Sequence, residues 1–237
     1  MKLKDKVAII TGASKGIGKS ISEYYAQEGA KLVLSARSGG MPNELKEKLK
    51  SKGTEAVTVV ADMTKESDII NLVTTASQSF GRIDILVNNA GFGLFKPVVE
   101  TQTEDFDLLF SVNMRGVFIA TREVLPYMIK QNDGVIINIV SLAGKNAVEN
   151  GALYAATKWA MLGFGKSLML EVRKYNIRVI SICPGSVDTD FSPGSSSRPN
   201  RDKILKPDDV AEAAVLAASL PARAMMSEIE LRPTNPK

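Results

Sequence analysis

A chain of 237 residues, 44% of them hydrophobic and 24% charged, is long enough for one large α/β domain with a well-buried core and cramped for two. With no histidine and a single cysteine, Cys183, it excludes imidazole acid–base chemistry, a serine–histidine triad, an ordinary catalytic zinc site and an internal disulfide, so no metal is expected. The net charge of +4 comes from dispersed lysines and arginines, not a basic stripe, and no stretch approaches the roughly 20 apolar residues of a membrane span, so neither nucleic acid nor membrane is an expected partner.

The start, Met1-Lys2-Leu3-Lys4-Asp5-Lys6, runs at once into a strand-like segment, and the expectation is a soluble, unexported, cytoplasmic protein. Apolar runs then alternate with helical patterns along the chain. This predicts an α/β fold of Rossmann type, a doubly wound parallel sheet of about seven strands with helices on both faces. Strands are expected at 7–10, 31–35, 56–60, 83–87, 135–140, 178–182 and 228–231. Between the first two, Ile17, Ile21, Tyr24 and Tyr25 recur at helical spacing and Gly29 stands where a left-handed cap belongs. Further helices are expected over 44–50, 66–79 and 104 to about 130, the last with Thr103 as N-cap and a bend or break at Pro126. Two more run from about 153 to 174 and about 207 to 220, the second opened by Pro207. The turn-rich stretch 191–200 follows a strand's carboxyl end, where open α/β sheets bind ligands. A single domain, 1–237, is expected to carry a flexible lid at about 190–206, a tolerated surface insertion being the alternative.

Thr11-Gly12-Ala13-Ser14-Lys15-Gly16-Ile17-Gly18 lies between the first strand and the first helix. Gly12, Gly16 and Gly18 let backbone approach a pyrophosphate, with Ser14, Lys15 and Ile17 lining the same turn and helix N–H groups aimed at the anion. The second strand ends Ser35-Ala36-Arg37-Ser38, with no acid to hold a ribose 2′-hydroxyl. Arg37, helped by Lys15, is therefore expected to meet the extra phosphate of NADP(H), a solvent-facing arginine being the alternative.

Tyr154-Ala155-Ala156-Thr157-Lys158 sets a phenol and an ammonium one helical turn apart on one face. A free tyrosine titrates near pH ~10, and a neighbouring cation is expected to favour the phenolate and lower that value. In the reducing direction the neutral phenol can protonate an oxygen that gains negative charge. Alone, such a pair also occurs on ordinary exposed helices.

Other motifs stand in order around it. They are the glycine turn, Asp62 after the third strand, Asn88-Asn89-Ala90-Gly91 after the fourth, Asn113 inside the long helix, Ser141 after the fifth, and Pro184-Gly185 with Thr189 after the sixth. With this set the chain resembles the short-chain dehydrogenase/reductase family, single-domain type, over essentially its whole length. The resemblance implies an NADP(H)-dependent oxidoreductase acting on carbonyl and CH–OH groups. It makes Tyr154 the acid/base and Ser141 the hydrogen-bond partner of the substrate oxygen. Lys158 would hold the nicotinamide ribose and tune Tyr154, and Asn113 would support a water that relays protons. It further implies that Asp62 contacts the adenine and that Asn89, with Ala90 and Gly91, lies along the adenosine side. The segment Pro184, Gly185, Val187 to Thr189 would contact the carboxamide.

The core motifs are similar to those of β-ketoacyl-acyl-carrier-protein reductases, which suggests a 3-oxoacyl thioester, possible docking of an acyl carrier protein included. The tail from Ser227 to Lys237 instead resembles sepiapterin-type and broad carbonyl reductases, and Lys130-Gln131-Asn132-Asp133 is less basic than a docking site for an acidic carrier. A ketone, diketone or aldehyde reductase is thus the alternative. A non-catalytic NADP-sensing protein is a third reading, disfavoured because Asn113, Ser141, Tyr154 and Lys158 are all present. Phe92, Leu94, Phe95, Trp159 and Met161 are candidates for an apolar substrate pocket. The resemblance also implies a homotetramer or homodimer, paired through the helices that carry Asn113 and Tyr154.

Overall fold

The computed structural model describes residues 1–37, 43–191 and 200–235. Its strands are β1 (Val7–Ile10), β2 (Lys31–Ala36), β3 (Ala56–Val60), β4 (Ile85–Asn88), β5 (Gly134–Ile139), β6 (Ile177–Pro184) and β7 (Glu228–Leu231). They form one sheet in the order β3-β2-β1-β4-β5-β6-β7, every pairing parallel. This is the expected doubly wound fold. The helices are α1 (Gly16–Gln27), α2 (Asn43–Ser51), α3 (Glu66–Phe80), α4 (Thr103–Phe110), α5 (Gly116–Gln131), α6 (Ala152–Val172) and α7 (Pro207–Ser219).

Two hydrophobic layers hold the helices to the sheet, and strand alternation assigns residues to them. Leu32 and Leu34 of β2 join Ile21 and Tyr25 of α1, Leu45 of α2 and Val210 of α7 on one face. Val33, between them in the chain, joins Ile69 and Leu72 of α3, Val124 of α5 and Leu168 of α6 on the other. Parallel strands buried on both faces read as continuous apolar runs, as Val7–Ile10 and Val135-Ile136-Ile137 do. Strand order reverses between β1 and β4, and ligands of such sheets bind at the carboxyl ends on either side of that switch.

Boundaries moved where a local hydrogen bond outcompeted the pattern. The strand expected from 83 begins at Ile85, because the Ile83 N–H is taken by the Gln131 side chain at 3.1 Å. Thr103 is not the N-cap of its helix but its first residue. Gln102 caps it, its backbone N–H held by the Asp105 carboxylate at 3.1 Å. Pro126 lies inside an uninterrupted α5, while the long helix expected from 104 to 130 is interrupted earlier, by a π-helical turn at Ser111–Arg115. One extra residue in that turn rotates Asn113 inward, in keeping with the placing of such turns at functional sites.

Of the expected lid at about 190–206, residues 192–199 lie outside the described residues, and 201–203 form a short 3₁₀ turn. Among the described residues no helix is long and apolar enough to cross a membrane.

Candidate active site

The turn between β1 and α1 is built of backbone. Gly12 and Gly16 take left-handed φ values of +65° and +55°, which a side chain would strain. A Cβ at Gly12 would lie 2.9 Å from the Ala90 Cα, so the loop after β4 packs directly on the turn. Asn89 pins it, donating from Nδ2 to the carbonyls of Thr11 at 2.8 Å and Gly12 at 3.1 Å. The Thr11 hydroxyl completes the brace by accepting from the N–H groups of Asn89 and Ala90, each at 3.0 Å. Lys15, the residue ahead of α1, is extended and gives no side-chain cap, which leaves the first N–H groups of the helix available to an anion.

Gly18 has the least room. A Cβ there would sit 2.4 Å from both the Gly12 carbonyl oxygen and Asn89 Nδ2. Backbone cannot swing away as a side-chain end can, so Gly18→Ala is expected to destabilise the fold by about 2 kcal/mol. A urea titration checks this, and an unchanged midpoint would show that the turn is looser than described.

Arg37 is exposed at the end of β2, close enough to Asp62 to help hold that carboxyl below its ordinary range; the larger cause is hydrogen bonding from Thr64. Asp62 accepts from the Thr64 N–H at 2.9 Å and hydroxyl at 2.8 Å. Across the crevice, a Cβ at Gly16 would meet the Thr189 methyl at 3.2 Å, which places Thr189 opposite the glycine turn. Pro184 ends β6, the Gly185 N–H donates to the Leu231 carbonyl at 2.8 Å, and Val187 bridges to Leu205.

Ser141, Tyr154 and Lys158 meet at the carboxyl end of β5. Ser141 opens a short 3₁₀ turn, its hydroxyl accepting from the Ala143 N–H at 3.1 Å, and it lies close enough to the Tyr154 phenol to favour the phenolate. The Lys158 ammonium lies 5.9 Å from the centre of the Tyr154 ring and donates to the Ile139 carbonyl at 3.0 Å. Both side chains are buried, Tyr154 at 6% exposure and Lys158 at 4%. The phenol departs from the sequence expectation. It is pushed up to about 12, because burial penalises the phenolate more than the nearby Ser141 hydroxyl favours it. Burial likewise pushes Lys158 down to about 8, which weakens the cation that was expected to lower the phenol.

Asn113 faces the same cleft from the π-helical turn. Its amide exchanges hydrogen bonds with the backbone of Phe92, accepting from N–H at 3.1 Å and donating to the carbonyl at 3.0 Å. It also donates to the Thr157 hydroxyl at 3.2 Å, and Thr157 in turn donates to the Tyr154 carbonyl at 2.8 Å.

The short chain dehydrogenase family model matches residues 6–200. The chain belongs to the short-chain dehydrogenase family. An uncharacterized oxidoreductase of Staphylococcus saprophyticus is 38% identical over 234 residues, covering 98% of this chain and 99% of that protein. Among solved structures, a metagenomic short-chain oxidoreductase in complex with NADP is 34% identical with a TM-score of 0.85, covering 99% of this chain and all (100%) of that one. An alcohol dehydrogenase from Thermococcus sibiricus, complexed with 5-hydroxy-NADP, is 30% identical with a TM-score of 0.88 over 99% of this chain and 100% of that one. A 3-ketoacyl-(acyl-carrier-protein) reductase from Brucella melitensis, complexed with NADH, is 31% identical with a TM-score of 0.88, covering 98% of each chain.

Within this short-chain dehydrogenase the pocket candidates divide. Phe92 and Leu94 cluster with Tyr154, and Phe95 stacks near its ring. Met161 belongs to a separate cluster with Val117, Val140 and Cys183, and Trp159 points outward at 54% exposure. One position on from Lys158 the helix has turned by about 100°, which carries Trp159 away from the cleft, while Met161, three positions on, keeps its sulfur 4.0 Å from the Lys158 ammonium. Sequence reading gave no role to Thr157, the link between Asn113 and the Tyr154 backbone, nor to Val148 beside the phenol, and it placed Phe191 in the expected lid and not against the Tyr154 ring. It also missed Lys145, just past the Ser141 turn, which is paired with Glu228 and Glu230 of β7. That tie joins the Ser141 turn to the C-terminal strand, and only tertiary pairing of β7 beside β6 brings those carboxylates within reach.

Proposed function

We propose that this oxidoreductase reduces a carbonyl to an alcohol with NADPH, reversibly. The observation that carries the reading is a buried phenol beside the Ser141 hydroxyl, with an ammonium 5.9 Å from its ring centre, at the carboxyl edge of the sheet near a side-chain-free turn. The residues fit a dinucleotide. Gly12, Gly16 and Gly18 leave backbone open to a pyrophosphate, and Lys158 is a buried ammonium with one protein oxygen for its three protons, suited to ribose hydroxyls. Bound NADPH supplies the hydride that the carbonyl carbon gains.

The chain's own groups do the rest. Tyr154, protonated at neutral pH, gives its proton to the substrate oxygen as charge develops there, and the Ser141 hydroxyl donates to the same oxygen. Lys158 orients the ribose and, with Asn113 supporting a water, returns a proton to the phenol. Asn89, Ala90 and Gly91 shape the adenosine side with Asp62, and 184–189, with Pro184, Gly185, Val187 and Thr189, faces the carboxamide end.

The 2′-phosphate is assigned to Arg37 and Lys15, both exposed at the mouth, with no acid at the end of β2. The NADP-type ligands of the metagenomic and Thermococcus structures support this choice. Arg37→Ala is expected to cut the preference for NADPH over NADH, measured as a ratio of kcat/KM, by at least ~10-fold. Equal efficiency with the two cofactors in the unaltered enzyme would remove the assignment.

A 3-oxoacyl thioester substrate is favoured by the likeness to the Brucella reductase. A panel of β-ketoacyl thioesters, diketones, pteridines and aldehydes, followed by NADPH absorbance, tests the reading. Oxidation with none of them would leave a dinucleotide-binding protein without turnover. We further place the enzyme in the cytoplasm, in keeping with its one buried free thiol, and as a homodimer or homotetramer. Exposed Phe106, Phe118, Trp159 and Leu170 on α4 to α6 support pairing of those helices between copies.

A further inference from the structure

Thr157 lies on α6 between Tyr154 and Lys158, fully buried, and its hydroxyl has one partner on its own helix and one on another element. It donates to the Tyr154 carbonyl at 2.8 Å, an ordinary local bond for a helical threonine. The second bond is the informative one. With its proton turned to that carbonyl, the oxygen presents its lone pairs to the π-helical turn, and Asn113 Nδ2 donates to it at 3.2 Å.

The Asn113 amide is fixed on every side. The Phe92 N–H can only donate, so Oδ1 must face it, at 3.1 Å, and the Phe92 carbonyl takes one Nδ2 proton at 3.0 Å. Thr157 takes the other. A Cβ at Gly91 would stand 3.0 Å from Oδ1, so the backbone after β4 closes on the amide as well. One buried side chain thus joins three separate pieces of the cleft: the loop after β4, the π-helical turn and the Tyr154 turn of α6. That loop also supplies Phe92 and Leu94, which pack with Tyr154.

We propose that Thr157 is a positioning residue for the reduction, its hydroxyl fixing the Tyr154 turn of α6 against Asn113 so that the phenol and the Ser141 hydroxyl meet at one substrate oxygen. This deepens the carbonyl-reductase reading and rests on it. Thr157 itself touches no reactant, because it is wholly buried. It passes no proton either, since its own is held by a backbone carbonyl that has none to return. Its effect is geometric, and a misplacement of about 1 Å at a reacting group can lower a rate by about 10²-fold. Valine at this position keeps the branched shape but leaves one Nδ2 proton enclosed without an acceptor, which favours displacement of the amide and of the turn it holds.

The test compares Thr157→Val with Thr157→Ser, which keeps the hydroxyl, with acetoacetyl-CoA, 2,3-butanedione, sepiapterin and benzaldehyde as the carbonyl probes. Turnover is expressed per NADPH-binding site, counted by fluorescence titration, so that unfolded protein does not enter. Valine is expected to lower kcat by about 10- to 30-fold with the NADPH dissociation constant within about 2-fold, and serine to restore kcat to within about 3-fold. The pH at which reduction falls should stay within about 0.3 unit, because no proton travels through this hydroxyl. Hydrogen exchange over 90–95 and 111–116 should quicken by about 10-fold in the valine variant, a readout that needs no carbonyl. In an Asn113→Ala background the valine substitution should lower kcat by less than about 2-fold more, since the group through which it acts is already gone. Thr157→Ala removes the hydroxyl with less bulk and has the same expected results should the valine chain not fold. Full kcat without the hydroxyl, serine no better than valine, a displaced pH profile, unchanged exchange, or losses that multiply with Asn113→Ala would each overturn the positioning role and leave the reductase reading intact. Failure of the unaltered protein to oxidise NADPH with any of the four probes would overturn both.

Discussion

Tyr154→Phe is expected to lower kcat by about 10³-fold, within the range supplied by a positioned general acid, while the dissociation constant for NADPH changes by less than about 2-fold. The contrast follows from what the substitution keeps. A phenylalanine ring retains the packing against Phe95 and Phe191, and the Ser141 hydroxyl retains the Ala143 N–H, so the cleft keeps its shape. Only the dissociable proton is lost. Because the phenol is pushed up to about 12, it remains an acid throughout the neutral range, and its titration should not limit reduction between about pH 6 and 9. Lys158, pushed down to about 8, should set the profile instead. Reduction at low NADPH is expected to fall above about pH 8 as the ammonium that holds the ribose loses its proton. Alcohol oxidation needs the phenolate and should rise with pH over the same interval. Stopped-flow and fluorescence titration of the variant separate chemistry from binding, and turnover within tenfold of the unaltered enzyme would remove the assigned role.

How much of this was legible in the sequence depends on how local the signal was. β1 has the expected bounds because a buried parallel strand is a short apolar run, and the half-exposed edge strands β3 and β7 have theirs because β-branched or alternating residues mark them, patterns that need no tertiary information. The glycine turn was legible for the same reason, since strand, turn and helix follow one another. What the sequence withheld is what depends on neighbours far along the chain. The brace of Asn89 on Thr11 and Gly12 spans 78 and 77 residues, and the tie of Lys145 to Glu228 spans 83. The π-helical turn at Asn113 was hidden because its residues are ordinary helix formers, whereas Pro126 advertised a break that α5 absorbs. The direction of the Tyr154 shift was misread because a lysine four residues on is visible in sequence and burial is not. Once both groups are enclosed, desolvation outweighs their attraction.

The same burial predicts that Lys158→Met will be both inactive and more stable. Lys158 has a folded value of about 8 against 10.5 for the unperturbed group, its burial being the first cause, so the unfolded chain binds the proton more tightly. Below pH 8 the folded state carries the whole penalty for an enclosed ammonium, and stability recovers as pH rises from 8 towards 10.5 and the proton leaves. The penalty is on the order of 3 kcal/mol, from ~1.4 kcal/mol per unit of pKa difference. Methionine fills a similar volume without charge, but it leaves the Ile139 carbonyl without its 3.0 Å donor, at a cost of roughly 1 kcal/mol. A net gain of about 2 kcal/mol in urea unfolding at pH 7 is therefore expected, together with a loss of at least ~10³-fold in kcat/KM. Two readouts distinguish this from simple repacking. The unaltered protein should gain stability between pH 8 and 10 and the variant should not, so that the two curves converge at high pH. A variant less stable at pH 7, or parallel curves, would mean that the ammonium finds more solvation in the fold than its enclosure implies. A residue kept at a stability cost is most simply explained by what it does for the reaction, which is why this variant tests function and fold in one experiment.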